Sequence, residues 1–158
     1  MCIVYTTMST ILAESQKMFD KLVRVLETFY DDQMKTNFDL IAIGKAIFPE
    51  LQDNVVRNLD VDLTRPPRYM IVNTNNSVGL HWVGVHIVGK KIYVFDSFAR
   101  KTTNIMPSFV RRAEKAGFTI IETRKRVEQA DSAQDCGLRS LSWLIILMNK
   151  GLRFAMTI

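Results

Sequence analysis

The stretch that decides the predicted fold is HWVGVHIVGKKIYVFDSF, which covers residues 81–98. β-branched and aromatic residues fill both halves of this stretch, and the pair Gly89-Lys90 separates them, which is typical of two strands joined by a tight turn. Glycine at the first central position favours a type II′ turn, whose twist matches that of antiparallel strands. We therefore predict a β-hairpin with strands at residues 81–88 and 91–98.

One face of this predicted hairpin carries two polar side chains at the same end. Side chains alternate between the two faces of a strand, and the turn pairs Val88 with Lys91. The face that begins with His81 is then made of His81, Val83, Val85, Ile87, Ile92, Val94, Asp96 and Phe98. His81 and Asp96 are diagonal neighbours on it, about 7–8 Å apart at the backbone, and their side chains can meet.

This pairing predicts a functional role for His81. We expect the Asp96 carboxylate to accept a hydrogen bond from Nδ1–H of His81, which leaves Nε2 free as a base. A His–Asp pair with a structural role only is the alternative. His86 falls on the opposite face with Trp82 and Tyr93, and we predict no functional role for it.

The flanks of the hairpin predict helices first and then strands mixed with helices. Helical periodicity appears at residues 10–30, 38–48, 107–116 and 136–149. Short apolar runs at residues 69–73 and 118–123 predict two more strands, residues 51–63 are ambiguous, and the prolines at 66 and 67 break the chain. This order predicts an α+β fold with a central mixed or antiparallel β-sheet flanked by helices. We expect one domain over residues 1–158, with a helical part at about 1–65 and a catalytic core at about 66–158.

The composition is that of a globular protein without a membrane partner. Of the 158 residues, 47% are hydrophobic and 23% are charged, which argues against disorder. The two cysteines, Cys2 and Cys136, are expected to be free thiols in a reducing compartment, and we see no secretory signal.

Positive charge is concentrated in the second half of the chain. Residues 1–80 hold eight Lys and Arg against ten Asp and Glu, whereas residues 81–158 hold thirteen against six. A phosphate-binding face is one interpretation, built from Arg111, Arg112, Lys115, Arg124, Lys125 and Arg126. An ordinary solvated basic surface is the other.

Cys136 is placed where a reactive thiol is chemically favoured. Asp135 is a natural N-cap, which puts Cys136 at the first position of the last predicted helix. The helix N-terminus favours a thiolate, and Gly137 leaves room for backbone beside it. Gln129 and Gln134 both precede the cysteine, and either amide is suited to stabilise an oxyanion. A small buried cysteine at a helix start is the alternative.

Together these motifs resemble the adenovirus maturation proteases, which are related in fold to the SUMO-specific proteases. The resemblance rests on His81-Trp82, on Phe95-Asp96-Ser97-Phe98, and on Gln129 followed by ADSAQD and Cys136-Gly137. It covers about residues 70–147, which is half of the chain.

The resemblance implies a role for each residue of the motifs. Cys136 attacks the scissile carbonyl, His81 removes its proton and later protonates the leaving amine, and Asp96 orients His81. Gln129 lies seven residues before Cys136, as in the adenoviral enzymes, and is therefore preferred over Gln134 for the oxyanion hole. Trp82 either packs beside the imidazole or only fills the core.

The implied function is a cysteine endopeptidase that processes viral structural precursors and cleaves near small residues such as Gly. The enzyme is then expected in the virion and in the host cytoplasm or nucleus. The alternatives are an isopeptidase acting on ubiquitin-like modifiers and a non-catalytic basic binding module on the same fold. No metal or organic cofactor is expected. The region around Phe118 lacks the cysteine to which an activating viral peptide is linked, so only DNA is retained as a candidate activator.

Overall fold

The computed structural model describes residues 2–33, 35–74, 81–124, 126–127, 129 and 133–158. The helices are α1 (Cys2–Tyr30), α2 (Asn37–Ile47), α3 (Thr102–Ile105), α4 (Pro107–Lys115), α5 (Cys136–Lys150) and α6 (Leu152–Ala155). The strands are β1 (Val55–Arg57), β2 (Tyr69–Asn73), β3 (Trp82–Val88), β4 (Lys91–Phe95) and β5 (Thr119–Glu122). In this part of the chain, no helix combines the length and the apolar character that a membrane crossing requires.

The five strands form one mixed sheet in the order β1-β2-β3-β4-β5. The two central pairings, β2 with β3 and β3 with β4, are antiparallel. The two outer pairings, β1 with β2 and β4 with β5, are parallel. The predicted α+β class with a mixed sheet flanked by helices is therefore confirmed.

The β3–β4 hairpin has the predicted register. Val88 pairs with Lys91 across the turn, and Gly84 pairs with Phe95 at the other end. Gly89 has a φ of 56°, a left-handed conformation that costs glycine little. The ladder ends at Trp82 and Phe95, so His81 and Asp96 lie one residue beyond the ends of their strands.

Several boundaries differ from the prediction. Helix α1 begins at Cys2 instead of residue 10, and β4 ends at Phe95 instead of residue 98. Residues 51–63, which were ambiguous in the sequence, contain β1, so the helical part predicted at about 1–65 also contributes a strand to the sheet. With three residues, β1 is too short to show a period in the sequence, and it is defined by its pairing with β2.

Helices cover both faces of the sheet, and each face has its own hydrophobic core. Helix α4 and the residues around it pack on the face that carries Val83, Val85 and Ile87. Helices α1, α2, α5 and α6 pack on the opposite face, which carries Trp82 and Phe95. A hydrogen bond from the Thr157 hydroxyl to the Ser15 hydroxyl at 2.8 Å ties the segment after α6 to α1.

Helix α5 lies close against the middle of the sheet because β3 has a glycine there. The Trp143 ring of α5 is fully buried and stacks on Phe95 with 5.5 Å between the ring centroids. A Cβ atom on Gly84 would lie 2.9 Å from Cε3 of Trp143 and 3.3 Å from the carbonyl oxygen of Ser140. The absence of a side chain at Gly84 is therefore a condition for this packing.

We predict that Gly84→Ala lowers the free energy of unfolding by about 1–3 kcal/mol, because the added methyl group overpacks a rigid aromatic contact. Urea unfolding measures the difference. Val88→Ala, at the exposed end of the same strand, is the matched control and is expected to change stability by at most about 0.5 kcal/mol. Equal unfolding midpoints for the wild type and Gly84→Ala would contradict the proposed packing.

Candidate active site

His81 and Asp96 form a short, buried hydrogen bond, as the hairpin register predicted. Nε2 of His81 lies 2.7 Å from Oδ1 of Asp96. His81 is 8% exposed and Asp96 is 3% exposed. The pair therefore sits in a site from which water is largely excluded, where an ionic hydrogen bond is stronger than at the surface.

The nitrogen that faces Asp96 is not the one we predicted. The expectation was that Nδ1 donates to the carboxylate, whereas the structure places Nε2 there. The backbone of His81 lies just outside the strand ladder, so the distal edge of the ring, not the edge near Cβ, reaches across to the neighbouring segment. Nδ1 is consequently the nitrogen that is left to act as a base.

Asp96 is held as an anion by four donors. Oδ1 accepts from His81 and from the backbone N–H of Phe98 at 3.0 Å. Oδ2 accepts from the backbone N–H of Arg100 at 3.2 Å and from its Nε at 3.0 Å. Burial alone would raise the pKa of Asp96, but the hydrogen bonds from His81 and Arg100 outweigh burial and bring the pKa to about 2. The carboxylate is therefore ionised at neutral pH.

Cys136 begins α5, as predicted, and is 3% exposed. Its thiol accepts hydrogen bonds from the backbone N–H groups of Trp82 and Gly137, which places it beside the residue that follows His81. Burial nevertheless raises the pKa of the thiol, and the carboxylates of Asp135 and Asp96 add to this, although the two N–H groups lower it. The N–H of Gly137 at the helix start thus favours the thiolate as expected, but burial outweighs it and the net pKa of the thiol is raised.

Asp135 stands at the N-cap position but does not cap the helix through its side chain. Its Oδ2 instead accepts from Nε of Arg139 at 2.7 Å, one turn into α5. Its Oδ1 is buried. Among the residues that the structure describes, no backbone N–H, hydroxyl, amide or cationic side chain donates a hydrogen bond to this atom. The capping role predicted for Asp135 is thus replaced by an ion pair.

Gly137 has a packing role beyond the backbone room that we predicted. A Cβ atom there would lie 3.0 Å from Cδ2 of Leu40, a fully buried residue of α2. Helix α2 therefore packs directly against the start of α5, and this contact fixes where the Cys136 backbone lies. The N–H of Gly137 points to the sulfur in this arrangement.

Gln129 is buried beside the end of the hairpin, whereas Gln134 is exposed. The Gln129 Oε1 atom accepts from the Ser97 hydroxyl at 2.6 Å, and its backbone N–H donates to the Ser97 carbonyl at 3.2 Å. Its Nε2 donates to the carbonyl of Ala133 at 2.6 Å. This nitrogen carries two hydrogens, so the bond to Ala133 uses one of its two donors.

The aromatic ring beside His81 is Phe98 and not Trp82. The centroids of the His81 and Phe98 rings are 5.3 Å apart. Trp82 points to the opposite face, where its Nε1 donates to the carbonyl of Lys35 at 2.8 Å and its own carbonyl accepts from Ser140. Of the two interpretations of Trp82, the structure supports the core position.

The predicted basic face is only partly turned to solvent. The guanidinium of Arg112 donates to the carbonyls of Val61 and Asn58, and Arg124 is 7% exposed. Arg111, Lys115 and Arg126 are exposed. Lys125 lies outside the described residues, as do most of the turn-rich loop predicted at residues 73–79 and the middle of the segment between Gln129 and Cys136.

A family model described as the Ulp1 protease family, C-terminal catalytic domain, matches residues 8–153. The chain belongs to the Ulp1 protease family. Members of this family are cysteine peptidases, so the predicted enzyme class is confirmed, as is the likeness to the SUMO-specific proteases. None of the curated proteins matches the chain. The finer likeness to the adenoviral enzymes stays a prediction.

Three residues around the site of this Ulp1-family peptidase were not predicted from the sequence. Ser97 joins the hairpin to Gln129, and Arg100 joins the carboxylate of Asp96. Glu27 of α1 lies beside Asp135. Ser97 and Arg100 follow Asp96 closely in the sequence, so the turn after β4 was a usable signal, whereas Glu27 is brought in by packing alone.

Glu27 forms a carboxyl pair with Asp135, which is next to Cys136 in the chain. Burial raises the pKa of Glu27, and its hydrogen bond to Asp135 and the charge of that carboxylate raise it further, while Arg139 opposes them. Two carboxyl groups can share a hydrogen bond only when one of them is protonated. Because the folded protein holds this proton more tightly than the unfolded chain, Glu27 contributes stability at low pH that is lost as the pH rises through its folded pKa.

We predict that Glu27→Gln raises the Tm of the protein at pH 7 by a small amount, on the order of 1–3 °C. The amide keeps a donor for Asp135 and removes the cost of ionising Glu27. The difference is expected to vanish below about pH 4, where glutamate is protonated in both states. Calorimetry at both pH values measures it, with Glu14→Gln on the exposed side of α1 as the control. A lower Tm for Glu27→Gln at pH 7 would contradict the proton-sharing pair.

Proposed function

We propose that Cys136, His81, Asp96 and Gln129 are the catalytic residues of this peptidase and that it hydrolyses polypeptides. One observation carries the proposal: the buried 2.7 Å bond between His81 and Asp96 lies directly beside the backbone that contacts the Cys136 thiol. We also propose that residues 1–158 act as one domain, since α1 and α5 share a core.

The first chemical step begins with a protonated thiol. Because burial raises the pKa of Cys136, the nucleophile needs a base, and Nδ1 of His81 is the proposed acceptor of its proton. The resulting imidazolium is stabilised by Asp96, which stays ionised since its pKa is about 2. The thiolate attacks the scissile carbonyl, and His81 then gives the proton to the leaving amine. Water releases the acyl group from Cys136 in a second step, with His81 again as the base.

The negative charge that develops on the carbonyl oxygen needs preorganised donors. The N–H of Gly137 already points to the sulfur, and the amide of Gln129 is fixed by Ser97 and Ala133. Donors that are held in place before the reaction cost no reorganisation when the charge appears. We therefore assign the oxyanion hole to the start of α5 together with Gln129, in preference to the exposed Gln134.

A cleft of about 440 Å³ next to Trp82 offers room for the substrate. Its walls come from the start of α2, from β1 and from β2, and they include Asn37, Val56, Arg57 and Asn73. Trp82 forms one of these walls, and its backbone N–H donates to Cys136, so the cleft and the proposed nucleophile share this residue.

Two classes of substrate are each favoured by one observation. The seven-residue spacing from Gln129 to Cys136 favours an adenovirus-like endopeptidase that matures viral structural precursors by cleavage near small residues such as Gly. The family match over residues 8–153 favours an isopeptidase that acts on the C-terminus of a ubiquitin-like modifier. A panel of Gly-containing precursor peptides and modifier conjugates separates them, since the first class is cleaved without a folded modifier and the second requires one.

Two expectations stay predictions from the sequence. One is activation by DNA through the basic half of the chain, and the other is localisation in the virion. Arg111, Lys115 and Arg126 are the exposed members of the basic set that the DNA proposal has to use. Binding of this kind falls steeply with salt, so it is measured at several salt concentrations.

We predict that Cys136→Ala abolishes peptide cleavage, with a loss of at least about 1,000-fold, because no other group replaces the nucleophile. The unfolding midpoint is expected to change little. Cleavage of a Gly-containing fluorogenic peptide and alkylation by iodoacetamide, followed by mass spectrometry, are the two measurements. The chain has one other cysteine, so Cys2→Ala is the matched control and is expected to keep full activity. Cleavage by Cys136→Ala at the wild-type rate would refute the assignment.

A further inference from the structure

Asp96 has two oxygens, and the structure gives them different partners. Oδ1 accepts from His81 and from the N–H of Phe98, whereas both donors to Oδ2 come from Arg100. One side of the carboxylate therefore faces the base of the proposed mechanism, and the other side faces a permanent cation. Neither the family match nor the predicted mechanism gives Arg100 a role.

The turn after β4 is built to bring Arg100 back to Asp96. The N–H of Ala99 donates to the carbonyl of Asp96 at 2.9 Å, and Ala99 has a φ of 51°. A left-handed conformation costs a residue with a Cβ about 1–2 kcal/mol, so the contacts of Arg100 with Asp96 must outweigh this strain. The guanidinium also lies over the Phe98 ring, with 4.8 Å from Cζ to the centroid.

The Phe98 ring also contacts His81. Its centroid lies 5.3 Å from that of His81, so Phe98 is a neighbour of both the imidazole and the guanidinium. The three side chains enclose the Asp96 carboxylate, which is 3% exposed, while the Arg100 side chain is 40% exposed. This arrangement limits rotation of the Asp96 carboxyl and therefore of the His81 ring bonded to it.

We propose that Arg100 is a positioning residue that fixes the Asp96 carboxylate and lowers the affinity of His81 for a proton. A cation on Oδ2 offsets part of the negative charge that would otherwise stabilise an imidazolium on Oδ1. A change at Arg100 therefore alters how readily His81 accepts the thiol proton. The inference rests on the proposed function at one point. Only the proposed mechanism gives the proton that His81 accepts a use in catalysis.

Among the described residues, the other charged and titratable groups at the site come from α5 and α1. They are the Cys136 thiol, the carboxylate of Asp135, which is paired with Arg139, and Glu27, which lies beside Asp135. None of them is changed by a substitution at Arg100. A change in the titration of His81 in such a variant is therefore assigned to Arg100 itself.

The test follows the two histidine rings by NMR in the wild type, Arg100→Gln and Arg100→Lys. The chain has only two histidines, and His86, whose ring donates to the Arg68 carbonyl on the opposite face, is an internal control. In Arg100→Gln we expect the titration midpoint of His81 to rise, because a cation that opposes its protonation is lost. The rise is expected to be about 0.5 on the pH scale, because water partly screens the exposed guanidinium. Arg100→Lys is expected to keep most of the wild-type midpoint, and His86 is expected to be unchanged in all three.

The variants are expected to fold, because the backbone N–H groups of Phe98 and Arg100 still satisfy Asp96. Arg100→Met, which keeps the aliphatic contact with Phe98, provides the same neutral test if Arg100→Gln is unstable. An identical His81 midpoint in the wild type and the neutral variant would overturn the proposal. This readout needs no substrate, so it stands apart from the outcome for Cys136→Ala.

Activity gives a second and separate readout. We expect kcat of Arg100→Gln to fall roughly 10-fold, as is common when the outer partner of a functional histidine is lost, with little change in KM. The acid limb of the rate profile should move to higher pH together with the His81 midpoint. A lower Tm with an unchanged acid limb would show a purely structural role for Arg100.

Discussion

The His81–Asp96 pair, on which the proposed chemistry depends, is positioned by the register of one β-hairpin. With Val88 opposite Lys91, the strands place His81 and Asp96 beyond their ends on the same face, close enough for a 2.7 Å hydrogen bond. A shift of the register by one residue would move one member to the other face and break the pair. A buried carboxylate is costly to desolvate, so the pair depends on the apolar ladder behind it, which fixes the backbone on both sides.

The site lies where the two cores of the protein meet. His81 and Asp96 belong to the face that packs on α4, whereas Cys136 arrives with α5 on the opposite face. The meeting point is the end of β3, where the backbone of Trp82 contacts the sulfur. Gly84 and Gly137 allow α5 to lie close to the sheet and to α2, which fixes the position of the thiol relative to the hairpin. The proposed nucleophile is thus located by packing, and the proposed base is located by hydrogen bonds.

The sequence predicted those parts that depend on neighbouring residues. Local periodicity and turn chemistry predicted the hairpin and its two faces. They also predicted the pairing of His81 with Asp96 and the start of α5 at Cys136. Three features did not follow, because they depend on contacts between distant segments. These are strand β1, which is defined by its partner, the raised pKa of Cys136, which results from burial, and the contact of Glu27 with Asp135. The ring nitrogen that faces Asp96 depends on ångström-scale geometry that no pattern contains.

The bond from the Trp82 indole to the Lys35 carbonyl has a consequence for modularity. Lys35 follows α1, and its buried amine is itself tied to the end of that helix through Tyr30 and Asp31. The first segment of the chain therefore closes the shell around the strand that carries the base. Removal of the leading helices together with Lys35 would leave a buried indole N–H without its acceptor. The helical segment is in this sense part of the support of the strand that follows His81.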